Sequence, residues 1–305
     1  MIKIVINGFG RIGRAVFRAI KQNPNLQITK INDLTDKAVL EHLLKYDSVY
    51  GQSDYNLNNI EVTANKEPNL EADVVIESTG RFTDYQDASK HKAKLIIISA
   101  PSVGARHAAP EVQHFVYNVN HEKYNGERVI SAGSCTTTAL AHIAKKLDDN
   151  FKIINGFMTT VHSYTNDQQL LDLAHKDLRR ARAAALSIIP TTTGATKTVE
   201  KVIPELKDKL DGIALRVPTP IVSIIDFICQ VEKKTSKAEV NSIFEDKTDE
   251  PLVSIDFKGD PRAAIVDTEL TMVKDNLIKV VAWYDNEYGY SVQLVKLLEY
   301  LVNNF

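Results

Sequence analysis

The stretch that most restricts the fold is a glycine turn, Gly8-x-Gly10-x-x-Gly13. It follows a short apolar run, residues 2–6, and opens a helical pattern in which Ile12, Val16 and Ile20 recur on one face. A second strand-like run, Leu26–Asn32, ends at Asp33, 20 residues after Gly13. Strand, tight turn, helix, second strand and terminal acid together form the context that a dinucleotide-binding fingerprint requires. The glycines let the backbone turn sharply and approach a pyrophosphate, which the positive helix N-terminus attracts. Asp33 can accept hydrogen bonds from an adenosine ribose and would repel a 2′-phosphate, so the pattern favours NAD over NADP.

Further strand-like runs at Asp73–Glu77, Leu95–Ser99 and Phe115–Val119, with a helical stretch near 84–94, predict a Rossmann-type, doubly wound and mostly parallel α/β sheet. Ser78-Thr79-Gly80 and Ser99 fall just past strand ends, where such sheets bind ligands. The connection 101–114 reads as an irregular loop. After residue 134 the texture changes. Long β-type runs (151–161, 211–217, 222–232, 263–273 and 277–284) are separated by few helices, near 193–209 and 236–245. This predicts a second, α+β domain on a largely antiparallel sheet, with 163–192 as an ordered surface loop. The expected domains are 1–133 and 134–290, with 291–305 a closing helix.

Cys135 stands in Ser131-Ala-Gly-Ser-Cys-Thr-Thr-Thr138, where cap-forming residues give way to an apolar face of Leu140, Ile143, Ala144 and Leu147. A cysteine in the first turn of a helix feels unsatisfied N–H groups and the positive dipole end, which favour thiolate. His162, 27 residues on, is a candidate proton acceptor. Cys229 lies inside an apolar strand pattern and reads as core filling. With two cysteines in 305 residues, no disulfide framework is indicated, and a reducing cytoplasm suits a free thiol. A net charge of −2 gives no electrostatic case for nucleic-acid or membrane partners. No apolar run is long enough to span a bilayer, and the N-terminus lacks a signal-peptide layout.

Ser134-Cys135-Thr136-Thr137 and His162-Ser-Tyr-Thr-Asn-Asp-Gln168 resemble the active-site signatures of phosphorylating glyceraldehyde-3-phosphate dehydrogenases, and further matches run from residue 3 to residue 291. The resemblance implies NAD as cofactor, an aldehyde phosphate and inorganic phosphate as small-molecule partners, a homotetramer, and no metal. It implies that Cys135 attacks the aldehyde and His162 handles the proton. It assigns Gly8, Gly10, Arg11, Ile12, Asp33, Ser78, Thr79, Gly80, Ser99, Asn286 and Tyr290 to the cofactor. Thr165 and Arg216 would hold the substrate phosphate, and Ser134, Thr136, Thr193 and Gly194 the attacking phosphate. Asn286 would bond the nicotinamide carboxamide, with Glu287 supporting its loop. Arg216 and His162 are expected to act separately, one as anchor and one on the proton, so that losing Arg216 would leave the thiolate pKa largely unchanged.

The chain departs from the family's pattern in places. Ala132 and Thr138 stand where the family has asparagine, and Ala139 and His142 where cysteine and proline are common. Ala174 replaces a proline of NAD-preferring members, which loosens the case against NADP; Tyr50 replaces a histidine. The chain is roughly thirty residues shorter than its relatives, in segments near 51–72 and 240–251, a loss that surface loops tolerate. Alternative readings are an erythrose-4-phosphate dehydrogenase and a catalytically impaired binding paralogue. His162-Ser-Tyr-Thr-Asn-Asp favours the triose enzyme, and retention of Cys135, His162, Arg216 and Asn286 argues for activity.

Overall fold

The computed structural model describes residues 1–67, 69–102, 104 and 109–303. The chain divides into two compact units, Met1–Ser134 with the stretch from Ser291 onward, and Cys135–Tyr290. Among the described residues, no helix is long and apolar enough to cross a membrane.

In the first unit the chain runs β1 (Ile2–Asn7), α1 (Arg11–Ile20), β2 (Leu26–Asn32), α2 (Lys37–Lys45), a hairpin of β3 (Tyr46–Asp47) and β4 (Gly51–Gln52), then β5 (Glu61–Thr63). It continues through β6 (Glu71–Glu77), α3 (Tyr85–Ala88), β7 (Lys92–Ile98), β8 (Gln113–His114) and β9 (Val129–Ser131). Among the described residues, seven strands form one parallel sheet in the order β5-β2-β1-β6-β7-β9-β8. Ile4, Val5, Ile6, Val74, Val75, Ile76 and Leu95–Ile98 have no exposure. Continuous apolar runs of this kind belong to strands covered on both faces. The chain winds outward from β1 in one direction through β2 and in the other through β6, which puts a ligand crevice at the carboxyl ends of β1 and β6.

Two local expectations fail here. The helix foreseen near 84–94 is only the single turn α3, because Lys92 already pairs with Glu71 and its N–H bonds the Leu70 carbonyl at 2.7 Å. Sheet pairing overrides local helix preference. The strand foreseen at Phe115–Val119 is a turn. The Asn120 side chain accepts from Val116 N–H and donates to the His114 carbonyl, both at 2.8 Å, and Asn118 has φ 57°. In the 101–114 connection, Val103 and residues 105–108 lie outside the described residues.

The second unit begins with α4 (Cys135–Phe151) and β10 (Ile153–Ser163), followed by β11 (Ile189–Thr192), α5 (Ala195–Val202), β12 (Leu210–Val217) and β13 (Ser223–Val231). After these come α6 (Lys237–Ser242), β14 (Lys247–Thr248), β15 (Ile265–Asp267), β16 (Met272–Lys274) and β17 (Leu277–Tyr284). A last helix, α7 (Tyr288–Val302), starts in this unit and from Ser291 belongs to the first. The sheet order is β11-β12-β10-β13-β17-β15-β14, with β16 on β17. Pairs β10–β12 and β14–β15 are parallel and the others antiparallel. Alternation is clear on β13, where Ser223, Ile225, Phe227, Cys229 and Val231 are buried while Ile228 is exposed. The run 263–273 splits into β15 and β16, and the loop 163–192 carries β11 at its end.

Candidate active site

In the first unit, the crevice is a cleft of about 270 Å³ whose lining includes Asn7, Gly8, Gly10, Asn32, Asp33, Ser78 and Thr79. The glycine turn is held by close backbone packing. Gly8 has φ 89°, and a Cβ added at Gly13 would stand 2.1 Å from the Gly8 carbonyl oxygen. Only glycine lets α1 start so near the turn. The Ser78 hydroxyl clamps the turn, donating to the Asn7 and Gly8 carbonyls at 3.0 and 2.7 Å. Gly10 caps α1 without a side-chain bond, and the first turn carries no acid, so its N–H groups and dipole face the cleft unneutralised.

Asp33 accepts Phe9 N–H on one carboxyl oxygen at 2.7 Å and Thr35 N–H on the other at 2.9 Å. Each oxygen keeps a further acceptor site for a ribose hydroxyl. A donor-rich helix end beside an acceptor carboxylate is the chemistry that pyrophosphate and ribose demand, so these residues fit a dinucleotide. Arg11 and Ile12 form the first turn of α1; Arg11 turns to the buried Asp47, which it meets at 3.0 Å. Gly80 has φ 70°, and Ser99 follows β7 with its N–H on the Glu77 carbonyl at 2.9 Å.

Sequence reading missed part of this cleft. Asn7, Asn32, Asn65 and Lys66 line it. Beneath it the buried Glu77 carboxylate accepts Asn7 Nδ2 and, at 2.8 Å, Thr79 N–H. Asn7 Oδ1 in turn accepts Asn32 Nδ2 at 2.7 Å. The polar residues ending three apolar strands, Asn7, Asn32 and Glu77, were the available signal.

In the second unit, Cys135 opens α4, whose face of Leu140, Ile143, Ala144 and Leu147 is buried. His162 lies near the end of β10, and the parallel β10–β12 register sets Arg216 directly beside it. Cys135 Sγ is 3.4 Å from His162 Nε2. His162 Nδ1 is 2.7 Å from the Ser163 carbonyl; in the tautomer with the ring proton on Nδ1, that proton bonds the carbonyl and the Nε2 lone pair faces the thiol. Arg216 Nη1 donates to the same carbonyl at 3.2 Å and lies 2.6 Å from Nδ1. In that tautomer ring and guanidinium share one acceptor.

The electrostatics differ from the sequence expectation. Burial pushes the Cys135 thiol up, and the Arg216 charge is the chief opposing influence. Burial, then the Arg216 charge, depresses His162 to about 3. Both shifts favour the uncharged pair of thiol and imidazole, against the thiolate that the helix end by itself favours. Arg216 acts on both members, so anchor and proton group are not electrically separate. Cys229 is buried in β13, and burial pushes its thiol up to about 12.

Of the residues assigned to phosphates, Thr136 has its Oγ1 4.0 Å from the thiol sulfur, but its hydroxyl bonds Tyr284 OH at 2.9 Å. Tyr284, fully buried, also meets Thr160 Oγ1 at 2.9 Å; neither residue was foreseen. Ser134 precedes α4, Thr165 opens the turn after β10 with its N–H on Gln168 Oε1 at 3.1 Å, and Thr193-Gly194 link β11 to α5. Arg180, on the 163–192 segment expected to be an ordered surface loop, is held by Thr191 Oγ1 and Asp167, and its charge acts on Arg216. Asn286 is 5% exposed and bonds Ser223 Oγ at 2.9 Å. Its loop is tied by Asp285, which accepts N–H bonds from Gly259, Glu287 and Tyr288 at 2.7–2.9 Å, a role expected of Glu287. Tyr290 is buried, and burial followed by the Cys135 charge raises its hydroxyl pKa.

A dinucleotide cleft on one unit and a cysteine–histidine–arginine cluster on the other fit the class of nicotinamide-dependent oxidoreductases. Residues 2–85 match the NAD-binding domain, and 134–286 the C-terminal domain, of glyceraldehyde 3-phosphate dehydrogenase. The chain is 49% identical to the glyceraldehyde-3-phosphate dehydrogenase of Geobacillus stearothermophilus, over 99% of this chain and 98% of that one. It is 47% identical to that of Priestia megaterium, over 98% of both. The chloroplastic enzyme of Arabidopsis thaliana is 46% identical, over all of this chain and 84% of its own. The chain belongs to the glyceraldehyde-3-phosphate dehydrogenase family, and it is an NAD-dependent dehydrogenase.

Proposed function

We propose that the chain oxidises D-glyceraldehyde 3-phosphate to 1,3-bisphosphoglycerate through a thioester on Cys135, with residues 1–133 and the closing helix as cofactor domain and 134–290 as catalytic domain. The observation that carries the reading is the contact of Cys135 with His162, itself flanked by Arg216. The Cys135 sulfur adds to the aldehyde carbon while His162 Nε2 takes the thiol proton and returns it to the new alkoxide, giving a hemithioacetal. NAD⁺ supplies the hydride acceptor that turns this adduct into a thioester. His162 takes the hydroxyl proton in that step. An oxygen of inorganic phosphate then attacks the thioester carbonyl, the carbon–sulfur bond breaks, and Cys135 regains its proton from His162.

Arg216 and Thr165 hold the phosphate of the substrate, Arg216 by charge-assisted bonds. Ser134, Thr136, Thr193 and Gly194 hold the attacking phosphate, and the charge of Arg180 supports an anion there. Gly8, Gly10, Arg11, Ile12, Asp33, Ser78, Thr79, Gly80 and Ser99 hold the cofactor's adenosine and pyrophosphate; Asn286 bonds the carboxamide and Tyr290 packs near the ring. The enzyme is a cytoplasmic homotetramer in this reading. Exposed Leu170, Leu171, Leu173 and Leu178 on the 163–192 loop are apolar surface that a second copy would cover.

Reduced cofactor is followed by absorbance with NAD⁺, phosphate and either glyceraldehyde 3-phosphate or erythrose 4-phosphate. A phosphate-dependent rise with the triose supports the reading. A preference for the tetrose, or no rise with either, refutes it. Light scattering after size exclusion reports the assembly, and a monomer there would remove the tetramer.

A further inference from the structure

The bend that enters β13 holds an unusual backbone geometry. Val222, a β-branched residue, has φ 66°, a left-handed conformation that such side chains avoid unless the surroundings impose it. In that conformation the Val222 carbonyl accepts the Ser163 hydroxyl proton at 2.7 Å. Ser163 N–H donates to Ser223 Oγ at 3.1 Å, and Ser223 Oγ lies 2.9 Å from Asn286 Oδ1. Ser223 and Asn286 are 2% and 5% exposed.

The direction of these bonds follows from the proton inventory. A hydroxyl carries one proton, and the Ser223 oxygen already receives the Ser163 N–H. If it also received the Asn286 amide protons, its own proton would be left over in a buried site. It therefore donates to the Asn286 carbonyl, and the Asn286 NH₂ turns away from it. Ser163 serves both branches, since its N–H polarises Ser223 and its carbonyl holds His162 and Arg216.

We propose that Ser223 is a positioning residue that locks the Asn286 amide with its donor end toward the cofactor. This rests on the reading of Asn286 as the contact of the nicotinamide carboxamide. A carboxamide can offer either a carbonyl or an NH₂, so a freely turning asparagine would accept two ring orientations. An amide locked as donor selects the carbonyl alone.

The test is calorimetric binding of NAD⁺ and of 3-acetylpyridine adenine dinucleotide, whose acetyl group keeps the carbonyl and lacks the N–H donors. In Ser223→Ala the amide is free to turn. NAD⁺ can turn its carboxamide to match, but the acetyl analogue binds only the donor-facing orientation, so its affinity falls by about twofold more than that of NAD⁺. Asn286→Ala should weaken both cofactors to similar extents, and Ser223→Thr should restore the wild-type ratio. If Asn286→Ala leaves both affinities unchanged, the carboxamide assignment fails and the proposal falls with it. If Asn286→Ala weakens both while Ser223→Ala keeps the wild-type ratio, the locking role alone is overturned. Thermal unfolding checks each variant, and the ratio in Ser223→Ala decides even where the threonine variant does not fold.

Discussion

The glycine-turn side of the first unit's cleft is made from backbone that is nearly continuous in sequence: β1, the glycine turn, α1 and Asp33 at the end of β2. The thiol site of the second unit is made from side chains 27 and 54 residues apart, brought together by a helix end and the β10–β12 register. The first depends on what the backbone cannot tolerate, a Cβ at Gly13. The second depends on charge in a buried place, where one guanidinium acts on two titrating groups. A steric constraint tests as fold and binding, whereas an electrostatic one tests as rate and pH.

The largest expected effect is in the second unit. His162→Asn should lower turnover roughly 10²–10⁴-fold by removing the proton-transfer group, and should slow alkylation of Cys135 at neutral pH. Cofactor affinity, measured by titration, should persist. An alkylation rate equal to wild type would show that the ring does not serve the thiol.

Arg216→Ala should cost about 2–4 kcal/mol in use of the aldehyde phosphate, read from kcat/KM. It should also move the pH profile of iodoacetamide labelling. The Arg216 charge lowers both Cys135 and His162, so its removal raises both, and thiol labelling shifts to higher pH. An unmoved profile would restore the picture of independent anchor and base.

Gly13→Ala sharpens the comparison from the other side. The clash with the Gly8 carbonyl should destabilise the chain by about 1–3 kcal/mol and weaken NAD⁺ binding. Denaturant melts and calorimetry read the two effects. Iodoacetamide labelling of Cys135 should stay at the wild-type rate; a large change would mean that the two sites are not separately specified.

Asp33→Ala is the mildest. Removing a carboxylate that would repel a 2′-phosphate should narrow the NAD⁺ to NADP⁺ preference, by about tenfold or less, on the order of 1 kcal/mol. Steady-state kinetics with both cofactors check it, and a wild-type preference for NADP⁺ would overturn the reading of Asp33.

Legibility in the sequence followed the range of the interactions. The turn Gly8–Gly13, the strand Leu26–Asn32 and the buried face of α4 were readable because each is dictated within one or two turns of chain. Helix α2 carried a weak signal in the buried pair Leu40 and Leu44, four residues apart, that the reading passed over. The short α3 and the turn at 115–120 were misread because sheet pairing at Lys92 and the Asn120 side chain outweigh local preference.

The chain by itself determined the parallel sheet and the cofactor class, since these rest on periodicity and glycine sterics, and its local words singled out Cys135 and His162 as candidates. Only the tertiary structure showed that burial raises the Cys135 thiol, that Arg216 and His162 Nδ1 both lie within reach of the Ser163 carbonyl, and that Tyr284 bonds Thr136 and Ser223 bonds Asn286. Desolvation and hydrogen-bond direction depend on what surrounds a group in space. No spacing along the chain encodes them.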